Sequence, residues 1–357
     1  MADVIKTGEV FEGSSDIYDV AAGPFKLQLC ADQFVPIADP ARQRALFKRF
    51  VKRIVIETSS YCNRRCVFCP NADGNRLAPQ RKMPPEMFET VIGDLAEIDF
   101  DGLILFHLYN EPLANQDIFD QIATARRLLP RAKLSFNSNG DYIKSDTVPR
   151  LIEAGLSFLH ISIYGPAHGR FDRAYVEERV LEMCDKVKID RDRLRWHGDD
   201  ECRAIGVIDN NGTEFKIIIQ AKDFNQSGYD RGGLVALPEA ELPDRLAPCP
   251  SPFDEILLTW NGLAVPCCNI VGDNPDHLQY TVGKVTDPGG LFALYAQGPL
   301  VEWRRGLAKF APHEGPCRAC TRMIGKVQDI GEKEAAFNAT MDFIMPDLPA
   351  KPAVVAE

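Results

Sequence analysis

From Arg53 onward the chain alternates short apolar runs with longer stretches of helical spacing. RIVIET (53–58) is a short β-branched run, PEMFETVIGDLAEI (85–98) repeats apolar residues every three or four positions, and GLILFHLY (102–109) is continuously apolar. The two patterns return in NQDIFDQIATARRLL (115–129), KLSFNS (133–138), SDTVPRLIEAG (145–155), FLHISIY (158–164) and VEERVLEMCDKVKI (176–189). Such runs predict strands separated by amphipathic helices. Near-continuous apolar strands with helices between them predict a parallel sheet covered by helices. The fold class expected is α/β, a partial (β/α)6 TIM-like barrel over residues 51–235.

Residues 1–50 show no strong period and read as an irregular extension packed on the main body. RAIGVID and EFKIIIQ, joined by the turn signal Asn-Asn-Gly, make a hairpin whose second strand continues the barrel. A Gly- and Asp-rich loop (226–233) and a Pro-rich stretch (236–252) then mark a composition shift, and a second domain is expected over 236–330. It would contain a small β-hairpin, EILLTW-NG-LAVPC, and a short helix, VEWRRGLAKF. Residues 331–357 would be a C-terminal helix and a Pro/Ala-rich tail.

The 357 residues, 45% of them apolar, suffice for a large domain with an appendage. The 51 acidic residues exceed the 41 basic ones, and a net charge of −10 disfavours nucleic acid and anionic membrane surfaces. The N-terminus lacks a basic segment followed by an apolar one, and no apolar stretch reaches the roughly 20 residues of a membrane span. A cytoplasmic location is expected.

In that compartment eleven cysteines point to metal ligation more than to disulfides. Eight fall in two groups: Cys62, Cys66 and Cys69, then Cys249, Cys267, Cys268, Cys317 and Cys320. The first group, in ETSSYCNRRCVFCPN, follows the first barrel strand, at the end where such barrels carry their active sites. A closed zinc site or a simple electron-transfer cluster wants four ligands; three thiolates leave one iron of a cubane open. The alternatives are a zinc loop completed by a distant residue, or three unrelated thiols, and histidine is scarce at six.

The spacing CxxxCxxC with Phe68 before the last cysteine resembles the radical S-adenosylmethionine (SAM) superfamily. The resemblance covers residues 53 to about 220. It implies a 4Fe-4S cluster on Cys62, Cys66 and Cys69 whose open iron chelates SAM, and reductive cleavage to a 5′-deoxyadenosyl radical that abstracts a substrate hydrogen. It further implies that Glu111 in Tyr109-Asn110-Glu111-Pro112 accepts the SAM ammonium. Asn110 departs from the glycine usual there. Asn139 resembles the ribose-binding position, Ser162 a polar contact to ribose or carboxylate, and Arg173 a carboxylate clamp. Each of these, taken alone, also reads as a turn or capping residue.

The second group supplies four thiolates, which ligation alone assigns equally to zinc or iron-sulfur. Its pattern, Cys249, twelve residues, Gly262, four residues, Cys267, then Cys317-x-x-Cys320, resembles a truncated SPASM, or Twitch, extension. That implies a second, auxiliary 4Fe-4S cluster on Cys249, Cys267, Cys317 and Cys320, with Cys268 spare. A fully ligated cluster suits electron transfer, so the expected reaction is oxidation of a polar small molecule, similar to the Twitch-bearing dehydrogenases of aminocyclitol biosynthesis. Arg231, Asp230 and Tyr164 are candidate substrate contacts, and an electron donor of flavodoxin or ferredoxin type is implied. The competing readings are radical epimerisation with Cys268 or Cys202 returning a hydrogen atom, modification of a ribosomal peptide, and a non-catalytic electron carrier or zinc-binding scaffold.

Overall fold

The expectation of an irregular N-terminal extension is corrected by three antiparallel strands, β1 (Ala2–Phe11), β2 (Ser15–Ala22) and β3 (Phe25–Leu29), in the order β1-β2-β3. The period was hidden in β1, where Gly8 has φ +83° and the register with β2 shifts between Lys6 and Val10. From Lys6 to Val10 β1 advances four residues while β2 advances two, from Tyr18 to Asp16, so a bulge interrupts the regular alternation. The computed structural model describes residues 2–11, 15–22, 25–72, 76, 80–165, 171–210, 212–224, 228–236, 244–322 and 333–347.

A second sheet holds β4 (Arg53–Ile56), β5 (Leu103–Leu105), β6 (Lys133–Ser138), β7 (Phe158–Ile163), β8 (Arg195–His197), β9 (Glu201–Asn210), β10 (Thr213–Lys222), β11 (Glu255–Leu258), β12 (Leu263–Val265) and β13 (Gly283–Lys284). Its order is β13-β12-β11-β4-β5-β6-β7-β10-β9-β8. Six consecutive strands, β11-β4-β5-β6-β7-β10, are parallel, and antiparallel hairpins extend both edges. The sheet is therefore an open barrel of six parallel strands. Helices cross between its strands: α1 (Pro40–Phe50) precedes β4, and α2 (Pro85–Glu97), α3 (Ile118–Leu128), α4 (Thr147–Glu153) and α5 (Arg173–Val187) follow β4 to β7 in turn.

Each helix is placed by an apolar stripe. On α2, Phe88, Val91, Ile92 and Leu95 recur at the spacing of one helical face and are all buried in the main core. Burial of each such side chain contributes about 1.5–3 kcal/mol. The start of α5 is fixed by Asp172, whose carboxylate accepts from Tyr175 N at 2.8 Å.

The barrel strands alternate more sharply than their sequence suggests. Ile54, Ile104, Leu134, Leu159, Ile217 and Ile256 point to the helices, in one core cluster. The alternate positions, Arg53, His107, Asn137, His160, Gln220 and Glu255, line a cavity inside the barrel. With period 2, one face of a strand can be wholly apolar while the other is polar. This polar inner face is what leaves room for a site.

Residues 237–243, within the expected domain boundary, lie outside the described residues. The hairpin after them is continuous with the barrel: β11 pairs in parallel with β4, Glu255 opposite Arg53 and Leu258 opposite Ile56. The helix Lys333–Ile344 packs Phe337, Met341 and Ile344 with Leu27, Leu29 and Phe253, tying the chain's two ends together. No helix among the described residues is long and apolar enough to cross a membrane.

Candidate active site

A cavity of about 460 Å³ opens at the C-terminal ends of the parallel strands, and Cys62, Cys66, Phe68 and Cys69 form one wall of it. Their loop is anchored from several sides. Cys62 N donates to Arg76 O at 3.3 Å, Cys69 N to Cys66 O at 2.9 Å, and Asn71 Nδ2 to Tyr109 O at 2.7 Å. Arg64 Nε donates to Asp141 at 2.6 Å, and Asn63 Nδ2 donates to the same carboxylate at 2.8 Å. All three cysteines are free thiols. Burial, and then the charge of its neighbours, pushes the Cys66 thiol up to about 12; burial pushes Cys62 up to about 11.

These thiols resist ionisation unless a positive ion stabilises them, as cluster iron does. No group of three or more His, Cys, Asp or Glu side chains among the described residues is gathered for a single metal ion. Three thiols spread along one cavity wall suit a multi-iron cluster better than one ion. The donor set therefore fits the cluster expected.

Glu111 is fully buried at the opposite side of the loop. Its Oε1 accepts from Leu113 N (3.1 Å) and Ser138 Oγ (2.9 Å), and its Oε2 accepts from Asn139 N (2.7 Å). Burial pushes its carboxyl up to about 7, against the pull of those donors. A cation placed beside it would restore the charged form. Asn110 Oδ1 accepts from Leu108 N at 3.0 Å, and its Nδ2 has no partner among the described residues. Asn139 Nδ2 donates to Asn63 Oδ1 at 2.8 Å, joining the third strand's loop to the cysteine loop. The turn after it needs Gly140, at φ +81°, where a Cβ would meet Met183 Cε at 2.8 Å.

Ser162 and Tyr164 lie on the same cavity, and the rings of Phe68 and Tyr164 meet at 5.3 Å. Phe224 stacks on Phe68 with centroids 4.7 Å apart. Arg173 stands apart from the cavity lining. It pairs with exposed Asp199 and lies 4.0 Å over the Trp196 ring, because it opens α5 on the outer layer.

Arg231 joins the wall from the loop after β10, in left-handed backbone at φ +52°. Its Nη1 is 3.4 Å from Cys268 O and 3.9 Å from Cys268 Sγ, and its buried Nε has no partner among the described residues. Asp230 is buried beside it and accepts from Gly232 N at 3.2 Å, so it shapes the turn.

Two histidines on the inner face were not singled out in the sequence, although each interrupts an apolar strand with a polar residue. Asn137 N donates to His107 Nδ1 at 3.1 Å, so the proton of the neutral ring sits on Nε2. Burial pulls His107 down to about 3 and lowers His160 as well. Gln220 Nε2 donates to the Glu201 carboxylate at 2.8 Å, which turns its oxygen toward His160 Nε2 at 3.1 Å. A carboxylate only accepts, so His160 Nε2 is the donor and its Nδ1 keeps a lone pair.

A buried charge network, also missed, holds the loops together. Arg76 Nη1 lies 2.6 Å from Glu57 Oε1, Arg76 also pairs with Asp273, and Trp260 Nε1 donates to Asp273 Oδ2 at 3.0 Å. Glu57 Oε1 accepts from Tyr109 N at 3.0 Å as well. The cysteine loop, the Tyr109–Pro112 loop and the C-terminal hairpin thus share one carboxylate.

Cys249, Cys267, Cys317 and Cys320 line a second, small cavity of about 20 Å³, with Arg245 and Asn269. Asn269 Nδ2 points at Cys320 Sγ at 3.0 Å and Asn269 N at Cys267 Sγ at 3.4 Å. Four thiols with N–H donors aimed at sulfur are a donor set suited to a closed iron-sulfur cluster. Cys268 faces the larger cavity instead.

Residues 56–189 are similar to the Radical SAM superfamily domain, whose family model they match. Such a domain implies SAM and a 4Fe-4S cluster. The S-adenosyl-L-methionine-dependent 2-deoxy-scyllo-inosamine dehydrogenase of Niallia circulans is 33% identical over 138 residues, 38% of this chain and 53% of that protein. The chain thus spans about half the length of the curated relative it matches. The crystal structure of BtrN in complex with AdoMet and 2-DOIA is similar at a TM-score of 0.54 and 20% identity, covering 79% of this chain and 96% of that one. A second structure of BtrN, in an open conformation, is similar at 0.48 and 18%, over 76% and 91% of the two chains. The first of these likenesses bears out the partial barrel.

Proposed function

We propose that this chain is a radical SAM dehydrogenase that oxidises a polar small molecule and passes an electron to a second 4Fe-4S cluster on Cys249, Cys267, Cys317 and Cys320. The observation that carries the reading is that the three-cysteine loop and Cys268 line one cavity, while Cys267, the next residue in the chain, lines the four-thiol site. Cys62, Cys66 and Cys69 would hold a 4Fe-4S cluster, and SAM bound with it would supply, on one-electron reduction, the radical that abstracts a substrate hydrogen.

The chain's own residues supply the rest. Glu111, whose carboxyl is raised to about 7 and so is about half ionised at pH 7, is placed to accept an ammonium and becomes fully ionised when it does. Phe68, Tyr164 and Phe224 form an aromatic cluster beside the cysteine loop that keeps water from it. The unpartnered Nε of Arg231 is a donor for a substrate oxygen. His160 Nδ1 is an acceptor within the cavity lining for the proton that leaves the oxidised carbinol. An electron donor of flavodoxin or ferredoxin type would deliver the reducing equivalent.

Radical epimerisation is the second reading, favoured by the Cys268 thiol on the cavity wall. Anaerobic reconstitution, iron counting and detection of 5′-deoxyadenosine after adding SAM and a strong reductant test the proposal. About eight irons and cleavage are expected for two cubanes; zinc without cleavage overturns it. Turnover by Cys268→Ala distinguishes oxidation, which survives, from epimerisation, which does not.

A further inference from the structure

Arg322 lines both cavities. Its Nη1 is 2.8 Å from Glu255 Oε1, and both side chains are nearly inaccessible, at 12% and 2%. The other Glu255 oxygen lies 2.9 Å from Arg53 Nε, so one carboxylate is shared by two guanidiniums. Arg322 is also held from behind: Arg245, 1% exposed, donates from Nη1 to Arg322 O at 2.7 Å and reaches Cys320 Sγ at 3.8 Å.

Four thiolates around one dry pocket concentrate negative charge, and an added electron raises it further. Cations and N–H donors next to the sulfurs are what make such an electron acceptable. Resting on the reading that the four thiols hold a cluster, we propose that Arg322 sets the reduction potential of that cluster, raising it, while Glu255 opposes the effect from the substrate side. Arg322 is a positioning and tuning residue here; it ligates nothing.

The test is a redox titration, followed by electron paramagnetic resonance, of the anaerobically reconstituted full chain as wild type, Arg322→Gln, Arg322→Lys and Glu255→Gln. Arg322→Gln is expected to lower the midpoint of the second cluster by about tenfold in the reduced-to-oxidised ratio, about 59 mV for a one-electron couple. Arg322→Lys is expected to stay near wild type, and Glu255→Gln to move the midpoint upward. A residue needed only for folding would not shift the potential in opposite directions with opposite charge changes. An Arg322→Gln protein that holds both clusters at the wild-type midpoint overturns the inference. If that variant loses its iron, an unmoved midpoint in Glu255→Gln overturns it instead. A wild type that holds only four irons would refute the second cluster itself, a different failure from an unmoved midpoint.

Discussion

Cys267 and Cys268 are neighbours in the chain, yet their thiols line different cavities. Cys267 belongs with Cys249, Cys317 and Cys320, whereas Cys268 looks into the barrel beside Arg231. The pair therefore makes a thin partition between the two sites. Cys267→Ala is expected to halve the bound iron, and Cys268→Ala to leave it unchanged; iron analysis of the two purified variants checks this. Equal loss in both would place Cys268 among the ligands.

Glu111 carries a pH signature. Its carboxyl is raised from an ordinary 4.5 to about 7, so between those values the folded chain binds a proton that the unfolded chain has released. Stability should therefore fall as pH rises from about 4.5 to 7 and level off above. Glu111→Gln is expected to flatten that part of the curve, and its amide would face the Asn139 N–H with a donor, at a cost of about 1–3 kcal/mol. Thermal melts of both proteins across the interval check the slope.

His160→Gln is expected to separate two steps. Removing a general base typically costs 10²–10⁴ in rate, so product should fall by about that much while 5′-deoxyadenosine continues to form. Single-turnover assays of both products read the split, and equal loss of the two would assign His160 a structural role.

At Arg231, stability and activity should move in opposite directions. Left-handed backbone at φ +52° strains a non-glycine residue, and Arg231→Gly is expected to relieve about 1 kcal/mol. The same change removes the guanidinium from the cavity and should raise KM for the substrate. Denaturant titration and steady-state kinetics on the one variant test both halves.

Arg76 is the countercharge of buried Glu57 and Asp273. Arg76→Leu leaves buried Glu57 without its countercharge, while Asp273 keeps Arg81 at 3.8 Å, and is expected to cost about 3–5 kcal/mol. Adding Glu57→Gln should restore part of it, which a double-mutant denaturation cycle measures.

Much of this site was legible as spacing. The three-cysteine loop, Glu111 and Asn139 each follow a strand whose apolar run could be seen in the sequence, and loops after parallel strands share one end of a barrel. Long-range partners were not legible. Nothing local in Arg76, Arg245 or Arg322 marks it as buried, because its partners lie elsewhere in the chain: Arg76 pairs with Asp273, and Arg245 reaches Cys320. His107 and His160 hid for a different reason: each sits in a run apolar enough to read as core, and only the alternation turns it inward. Arg173 misled because position after a strand says nothing of which face a helix's first residue takes.

The most direct test of the central claim is the yield of 5′-deoxyadenosine from the anaerobically reconstituted chain, given SAM and dithionite, beside Cys62→Ala, Cys66→Ala and Cys69→Ala. Cleavage by the wild type and none by the three variants is expected. Cleavage retained by any variant, or none by an iron-loaded wild type, would contradict the account.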